Sequence, residues 1–314
     1  MTKKHFLGID IGGTSVKIAI VKSDLEILSQ TSLPTNIKEE PRKVLKDILK
    51  AAAGLEGYDK VKSIGLGIPG DVDSKNGILR RAYNLPKWKN IFVRNILHKY
   101  SKKKVCIDND ANAASLGAFW LDTGGKANNL VCITLGTGIG GGIILNKKIY
   151  RGSSSSAGEI GHMTITYDRN VCNCENIGCV EAYIGAKNLT AYSVNYIKKH
   201  KSPIIMKFID NDFSKLTIEI LYKSALRKDK TALELWQYAG EILGVLLSNI
   251  VNFINPDTIV LCGGVSRAEK FILPLAKKEM KMRAFKTPAR ICNVICSKWS
   301  NKLGVVGAAM LAEQ

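Results

Sequence analysis

Twice along this chain a short apolar run stops at a glycine- and threonine-rich turn and comes back as a second apolar run. The first instance is Phe6-Leu7-Gly8-Ile9-Asp10, the turn Gly12-Gly13-Thr14, and Val16 to Val21. The second is Leu130 to Leu135, the glycine stretch Gly136 to Gly142, and the return to Leu145. Two strands joined so tightly predict a hairpin. A recurring strand–turn–strand unit predicts two related α/β lobes, expected as residues 1–115 and 116–300, with 301–314 packing back on the first. The 314 residues are more than one simple core usually organises, which fits two domains.

The remaining apolar patterns predict a strand from Ile27 to Leu33, a helix from Pro41 to Gly54 and a buried strand from Val61 to Ile68. A polar loop is expected from Pro69-Gly70 to Trp88. Val105 to Ile107 reads as a strand and Ala111 to Trp120 as a helix. Long helices are expected over Ile184–His200 and Ala232–Ile254, a strand over Thr258–Cys262, and a small-residue helix over Leu303–Leu311. The 46% hydrophobic content is that of a folded globular chain. The apolar stretch from Ile242 to Ile254 is broken by Ser248, Asn249 and Asn252 and spaced like a buried helix face, so no membrane span is expected. No secretory signal is read at Met1, and a cytoplasmic protein is expected.

The net charge of +19 admits attraction to nucleic acid or to anionic nucleotides. The basic residues are scattered, with only Lys102-Lys103-Lys104 as a tight run, and aromatics do not alternate with them. A lysine-rich background therefore accounts for the charge, and no nucleic-acid partner is expected. Of the eight cysteines, Cys106, Cys132 and Cys262 lie in apolar runs as small hydrophobes, and Cys292 and Cys296 sit near a predicted strand with no evident task.

The turns suit phosphate. Backbone N–H groups converge there without a Cβ in the way. Gly12, Gly13 and Thr14 form one such cradle, with Lys17 on the returning strand and Asp10 placed to hold Mg²⁺ beside the phosphates. Gly136, Thr137 and Gly138 offer the same chemistry, and Gly263-Gly264 would let an adenine or ribose approach closely. The chain has no Gly-x4-Gly-Lys-Ser/Thr run, which excludes a Walker-type loop. Between strand and helix, Asp110 is the candidate general base for an attacking hydroxyl, with Asn109 beside it to bond a neighbouring hydroxyl. The alternative for Asp110, and equally for Asp108, is an ordinary helix N-cap.

A second cluster follows: Glu159-x-x-His162, then Cys172-x-Cys174-x4-Cys179-x-Glu181. Three thiols and an imidazole suit a closed, structural Zn²⁺ site, from which Glu159 and Glu181 would project toward sugar hydroxyls. The alternative is three reduced thiols and a core histidine.

These motifs resemble the ROK family (repressors, open reading frames and kinases), most nearly its bacterial glucokinase branch. The resemblance rests on Asp10–Thr14, Gly67–Asp73, Asn84–Trp88, Asp108–Ala114, Leu135–Gly142, Ala157–His162, the cysteine loop through Tyr183, Gly263–Ser266 and Leu303–Ala309, in family order. It implies an α/β, two-lobed actin-like (ribonuclease H-type) ATPase fold with an interlobe active-site cleft. It also implies ATP and Mg²⁺ as cofactors, structural Zn²⁺, and a dimer or tetramer. Asp110 would be the base; Gly70, Asn84, Asn109, Glu159, His162 and Glu181 would contact the sugar, His162 also binding zinc through its other nitrogen. The reaction implied is phosphorylation of the 6-hydroxyl of glucose. An N-acetylhexosamine kinase would share every catalytic residue, and a sugar-binding regulator would need a helix-turn-helix for which the Asp10 motif leaves no room. Three departures stand out: Glu175 replaces the usual glycine after the second cysteine, the Ser153 to Ser156 run replaces a stretch in which glucokinases often have another glycine, and Arg151 stands where many members have histidine.

Overall fold

The computed structural model describes residues 3–36, 38–82, 85–167 and 170–313. In chain order the strands are β1 His5–Ile11, β2 Ser15–Lys22, β3 Ile27–Pro34, β4 Val61–Ile68, β5 Asp71–Asp73, β6 Ile78–Arg81, β7 Lys89–Ile91, β8 Lys104–Asn109, β9 Leu130–Leu135, β10 Ile139–Leu145, β11 Lys148–Tyr150, β12 Thr258–Cys262 and β13 Asn293–Cys296. The helices are α1 Pro41–Ala53, α2 Val93–Ser101, α3 Asp110–Leu121, α4 Glu181–Ile184, α5 Ala186–His200, α6 Pro203–Phe208, α7 Ile218–Leu226, α8 Lys230–Ile254, α9 Glu269–Arg283, α10 Lys286–Ile291 and α11 Leu303–Leu311. None of the described helices is long and apolar enough to cross a membrane.

The first sheet has the order β3-β2-β1-β4-β8. The hairpin read from the first motif is present: β1 and β2 pair antiparallel with Asp10 opposite Lys17 and Ile11 opposite Val16. β4 adds in parallel to β1, and β8 in parallel to β4. Their near-continuous apolar runs follow from burial on both faces. The second sheet runs β11-β10-β9-β12-β13.

The stretch expected as a polar loop up to Trp88 instead holds β5 and β6, which with β7 just beyond it form a small antiparallel sheet. Its strands are three or four residues long. Val72 faces Leu79 and Leu79 faces Ile91 across the sheet, and Arg80 adds ion pairs from β6 to β5, with Asp71 at 2.9 Å and Asp73 at 3.2 Å. Strands this short carry too few residues to show an apolar period. The helix expected over Ile184–His200 is broken at Gly185, whose ψ of 137° is extended, and becomes α4 and α5.

Two compact units emerge: residues 1–132, 141–158 and 297–314 in the first, and 133–140 and 159–296 in the second. This division differs from a boundary at 115/116, which would cut α3 in two. α3 is buried from Ala111 to Phe119, and α11 packs along it and against β1 and β4. The approach is close because the contact is made by small residues. A Cβ on Gly307 would lie 1.7 Å from the Ala113 carbonyl oxygen, and one on Gly65 equally close to that of Ala308. Gly307→Val is therefore expected to destabilise the first unit by about 3 kcal/mol or more, read by thermal unfolding. A melt like that of the parent would show the contact to be pliable.

Candidate active site

β8 delivers the Asp108-Asn109-Asp110 turn to the start of α3. The cap belongs to neither aspartate. Asn109 sits at φ −60°, ψ 148°, and its Oδ1 accepts from the amides of Ala111 at 2.8 Å and Asn112 at 3.3 Å. Its Nδ2 donates to the Gly70 carbonyl at 3.1 Å, so both ends of this amide are engaged within the protein. Gly70 has φ 114°, and a Cβ there would lie 2.3 Å from the Arg81 carbonyl oxygen. Asp110 is the first residue of α3, and its Oδ1 accepts from Ala111 N at 3.0 Å. Asn84 lies outside the described residues.

Asp108 is buried for a different purpose. Its Oδ1 accepts from Asn109 N and from Asn112 Nδ2, each at 2.8 Å, and its Oδ2 accepts from Arg151 Nε at 2.7 Å. No periodicity or motif announces that Arg151 pairs with it.

At the first turn, Gly12 N donates to the Ser15 carbonyl at 3.0 Å, and Thr35 Oγ1 donates to the Gly12 carbonyl at 2.7 Å. Gly13 and Thr14 are exposed at the tip, and a Cβ on Gly13 would meet nothing within 4 Å. Neither Gly12 nor Gly13 has positive φ, so glycine here leaves room rather than bends the chain. Behind the tip, burial pushes the Asp10 carboxyl above its usual range, which Lys17 partly offsets. Lys17 Nζ itself donates to the Asn301 carbonyl at 3.0 Å, beyond the hairpin rather than at the turn.

The second turn is shorter than its glycines suggest. Strand resumes at Ile139, leaving Gly136-Thr137-Gly138 as the turn. Gly136 N donates to the Gly138 carbonyl at 2.9 Å, and the Gly136 carbonyl accepts from Ala186 N at the start of α5 at 3.0 Å. Glu181 is bound into the same corner: its Oε2 accepts from Ile139 N at 2.7 Å. A Cβ on Gly138 would lie 2.3 Å from that oxygen, which explains the glycine. Gly263, at φ 97° after β12, backs onto Leu135, whereas a Cβ on Gly264 would meet nothing within 4 Å.

The histidine and cysteines of the second motif do converge. The ligand atoms of His162, Cys172, Cys174 and Cys179 lie within 4.8 Å of one another. Cys172 Sγ is 3.7 Å from His162 Nδ1, and Cys174 Sγ is 3.7 Å from Cys179 Sγ. A tetrahedral zinc with Zn–S bonds of about 2.3 Å sets sulfurs about 3.8 Å apart, so the donor set fits that ion. His162 Nε2 points the other way, 3.9 Å from Glu159 Oε2. Burial pushes the Cys172 thiol up to about 12, and the adjoining thiols push in the same direction. Three clustered thiols cannot all ionise without a cation to balance them.

Glu175, in the place of the usual glycine, has φ 70°. Its amide donates to the Cys172 carbonyl at 2.9 Å, closing the turn between the first two cysteines. Glycine would relieve the left-handed strain but add unfolded-state entropy. Glu175→Gly is expected to gain no more than about 1 kcal/mol, and Glu175→Val to lose about 1–2 kcal/mol, both read by thermal unfolding. Equal melts for the two variants would refute the strain.

The alternation of sheets and helices, with a strand-end glycine turn in each unit, defines an α/β protein of the actin-like ATPase fold. The chain belongs to the ROK family, whose model matches residues 6–314. It is 32% identical to a glucokinase of Halalkalibacterium halodurans, over 100% of this chain and 96% of that protein. It is 29% identical to an N-acetyl-D-glucosamine kinase of Aliivibrio fischeri, with 98% of each chain covered. Among solved structures, a ROK family glucokinase from Streptomyces griseus, crystallised with glucose and AMPPNP, superimposes with a TM-score of 0.85 at 27% identity, covering 99% of each chain.

Proposed function

We propose that this chain transfers the γ-phosphoryl group of ATP to the 6-hydroxyl of glucose. The observation that carries the reading is the Asp108-Asn109-Asp110 turn. It sets a carboxylate at a helix start while Asn109 supplies the cap, in a chain similar over its full length to a glucokinase. Asp110 accepts the proton of the attacking hydroxyl as the new O–P bond forms and the bond to ADP breaks. Gly70, Asn84, Asn109, Glu159, His162 and Glu181 orient the sugar, with Glu181 steadied by the Ile139 amide. Gly12, Gly13, Thr14, Lys17, Gly136, Thr137 and Gly138 hold phosphates, and Gly263 and Gly264 line the adenosine.

Asp10 would hold Mg²⁺, directly or through water, and its buried carboxyl is the kind of group a cation stabilises. The ion, when bound, neutralises charge between the phosphates. His162, Cys172, Cys174 and Cys179 would hold a structural Zn²⁺ that stiffens the loop bearing Glu159 and Glu181. Assembly as a dimer or tetramer belongs to the same proposal, and light scattering reads it.

The Aliivibrio fischeri relative supports a second reading, an N-acetylhexosamine kinase. One added acetyl group is a matter of pocket shape around C2. ADP release across hexoses and N-acetylhexosamines separates the two. Glucose is expected to give the highest kcat/KM; a preference of about tenfold for an N-acetylated sugar would replace it.

A further inference from the structure

Three segments of the first unit are tied together at the turn that carries Asp110. Arg80 Nη1 donates to Asp71 Oδ1 and to the Ser154 carbonyl, each at 2.9 Å. Ser156 Oγ donates to the same Asp71 oxygen at 3.2 Å. Asn109 Nδ2 holds the Gly70 carbonyl next to Asp71. The remaining tie is the ion pair from Arg151 to Asp108, whose side chain is 1% exposed. A carboxylate so deeply buried is tolerated when paired and fully hydrogen-bonded. Asp108 meets both conditions, with two donors on Oδ1 and the guanidinium on Oδ2.

We infer that Arg151 is a positioning residue for the general base. It fastens the loop from Arg151 to Ser156 onto Asp108 and thereby fixes the peptide on which Asp110 stands. The inference rests on the sugar-kinase reading, because it assigns Asp110 the proton. Arg151 acts through Asp108, two residues from Asp110 along the chain. Its removal leaves a buried carboxylate without its cation, and the turn relaxes to find water or another donor. Displacement of a reacting group by about 1 Å costs on the order of a hundredfold in rate.

The test compares Arg151→Met, Arg151→Lys, Asp108→Asn and the double variant Asp108→Asn/Arg151→Met in steady-state turnover of glucose with ATP. Arg151→Met is expected to lose about a hundredfold in kcat with a much smaller change in the KM for glucose. Arg151→Lys, which keeps a cation within reach of Asp108, is expected to restore most of that loss. The double variant is expected to be no slower than Arg151→Met alone. Three outcomes overturn the inference: kcat of Arg151→Met within about threefold of the parent, a loss explained by the unfolded fraction at the assay temperature, or Arg151→Lys no better than Arg151→Met. If the parent protein turns over no sugar, the kinase reading fails by itself. The clamp is then read from thermal unfolding, where a double-variant loss well short of the summed single losses supports it and a fully additive loss refutes it.

Discussion

Asp110→Asn is expected to cut turnover by about 10²–10⁴-fold while glucose still binds. The substitution is informative because the helix cap is elsewhere: Asn109 accepts from the amides of Ala111 and Asn112. An asparagine at 110 can still accept from Ala111 N as Asp110 does, so α3 keeps its start. What it loses is an anion able to take a proton, together with a favourable helix-dipole contribution of about 0.3–1 kcal/mol. Stability and catalysis are thereby separated. If Asp110 were only part of the helix terminus, the variant would melt slightly earlier and turn over nearly as fast. Substantial residual turnover, measured beside glucose titration by calorimetry, would mean another group takes the proton.

Metal analysis is expected to find about one zinc per chain, lost in Cys179→Ser. Cys179 is fully buried and its sulfur already receives Asn176 Nδ2 at 3.3 Å, so the loop closes around it. A hydroxyl in its place is a poor ligand for zinc, and the remaining three donors hold the ion weakly. Among the described residues the loop is held by short-range pairing rather than by a sheet: Thr164 bridges to Cys179 and Val171 to Ile177, and Ile165 N donates to the Gly178 carbonyl at 2.9 Å. Without the ion, the loop between His162 and Glu181 is expected to become protease-sensitive, and activity to fall with it. A metal-free protein with a protected loop and full turnover would defeat the structural-zinc reading.

Much of the fold was legible from the pattern of apolar and small residues. α1 and α8 announce themselves by apolar spacing because each buries one stripe, and the β1–β2 hairpin, β4 and α11 by nearly continuous apolar or small residues because they are buried almost all round. The convergence of His162, Cys172, Cys174 and Cys179 was equally readable, since four such side chains lie within one short stretch of the chain. The β5-β6-β7 sheet was not readable, because its strands are three or four residues long and their few apolar pairs, Val72 opposite Leu79 and Leu79 opposite Ile91, are too short a run to show a period. Nor was the choice among Asp108, Asn109 and Asp110 as cap, three neighbours all suited to it by type.

By itself the order of residues determined the hairpins, the cluster of one histidine and three cysteines, and the family, since each depends on neighbours a few positions apart. Only the tertiary structure decided that Asp108 serves Arg151, that Asn109 is the cap, and that Glu181 is tied to the Ile139 amide. Those partners lie far along the chain or compete at adjacent positions, and only packing settles which donor reaches which oxygen.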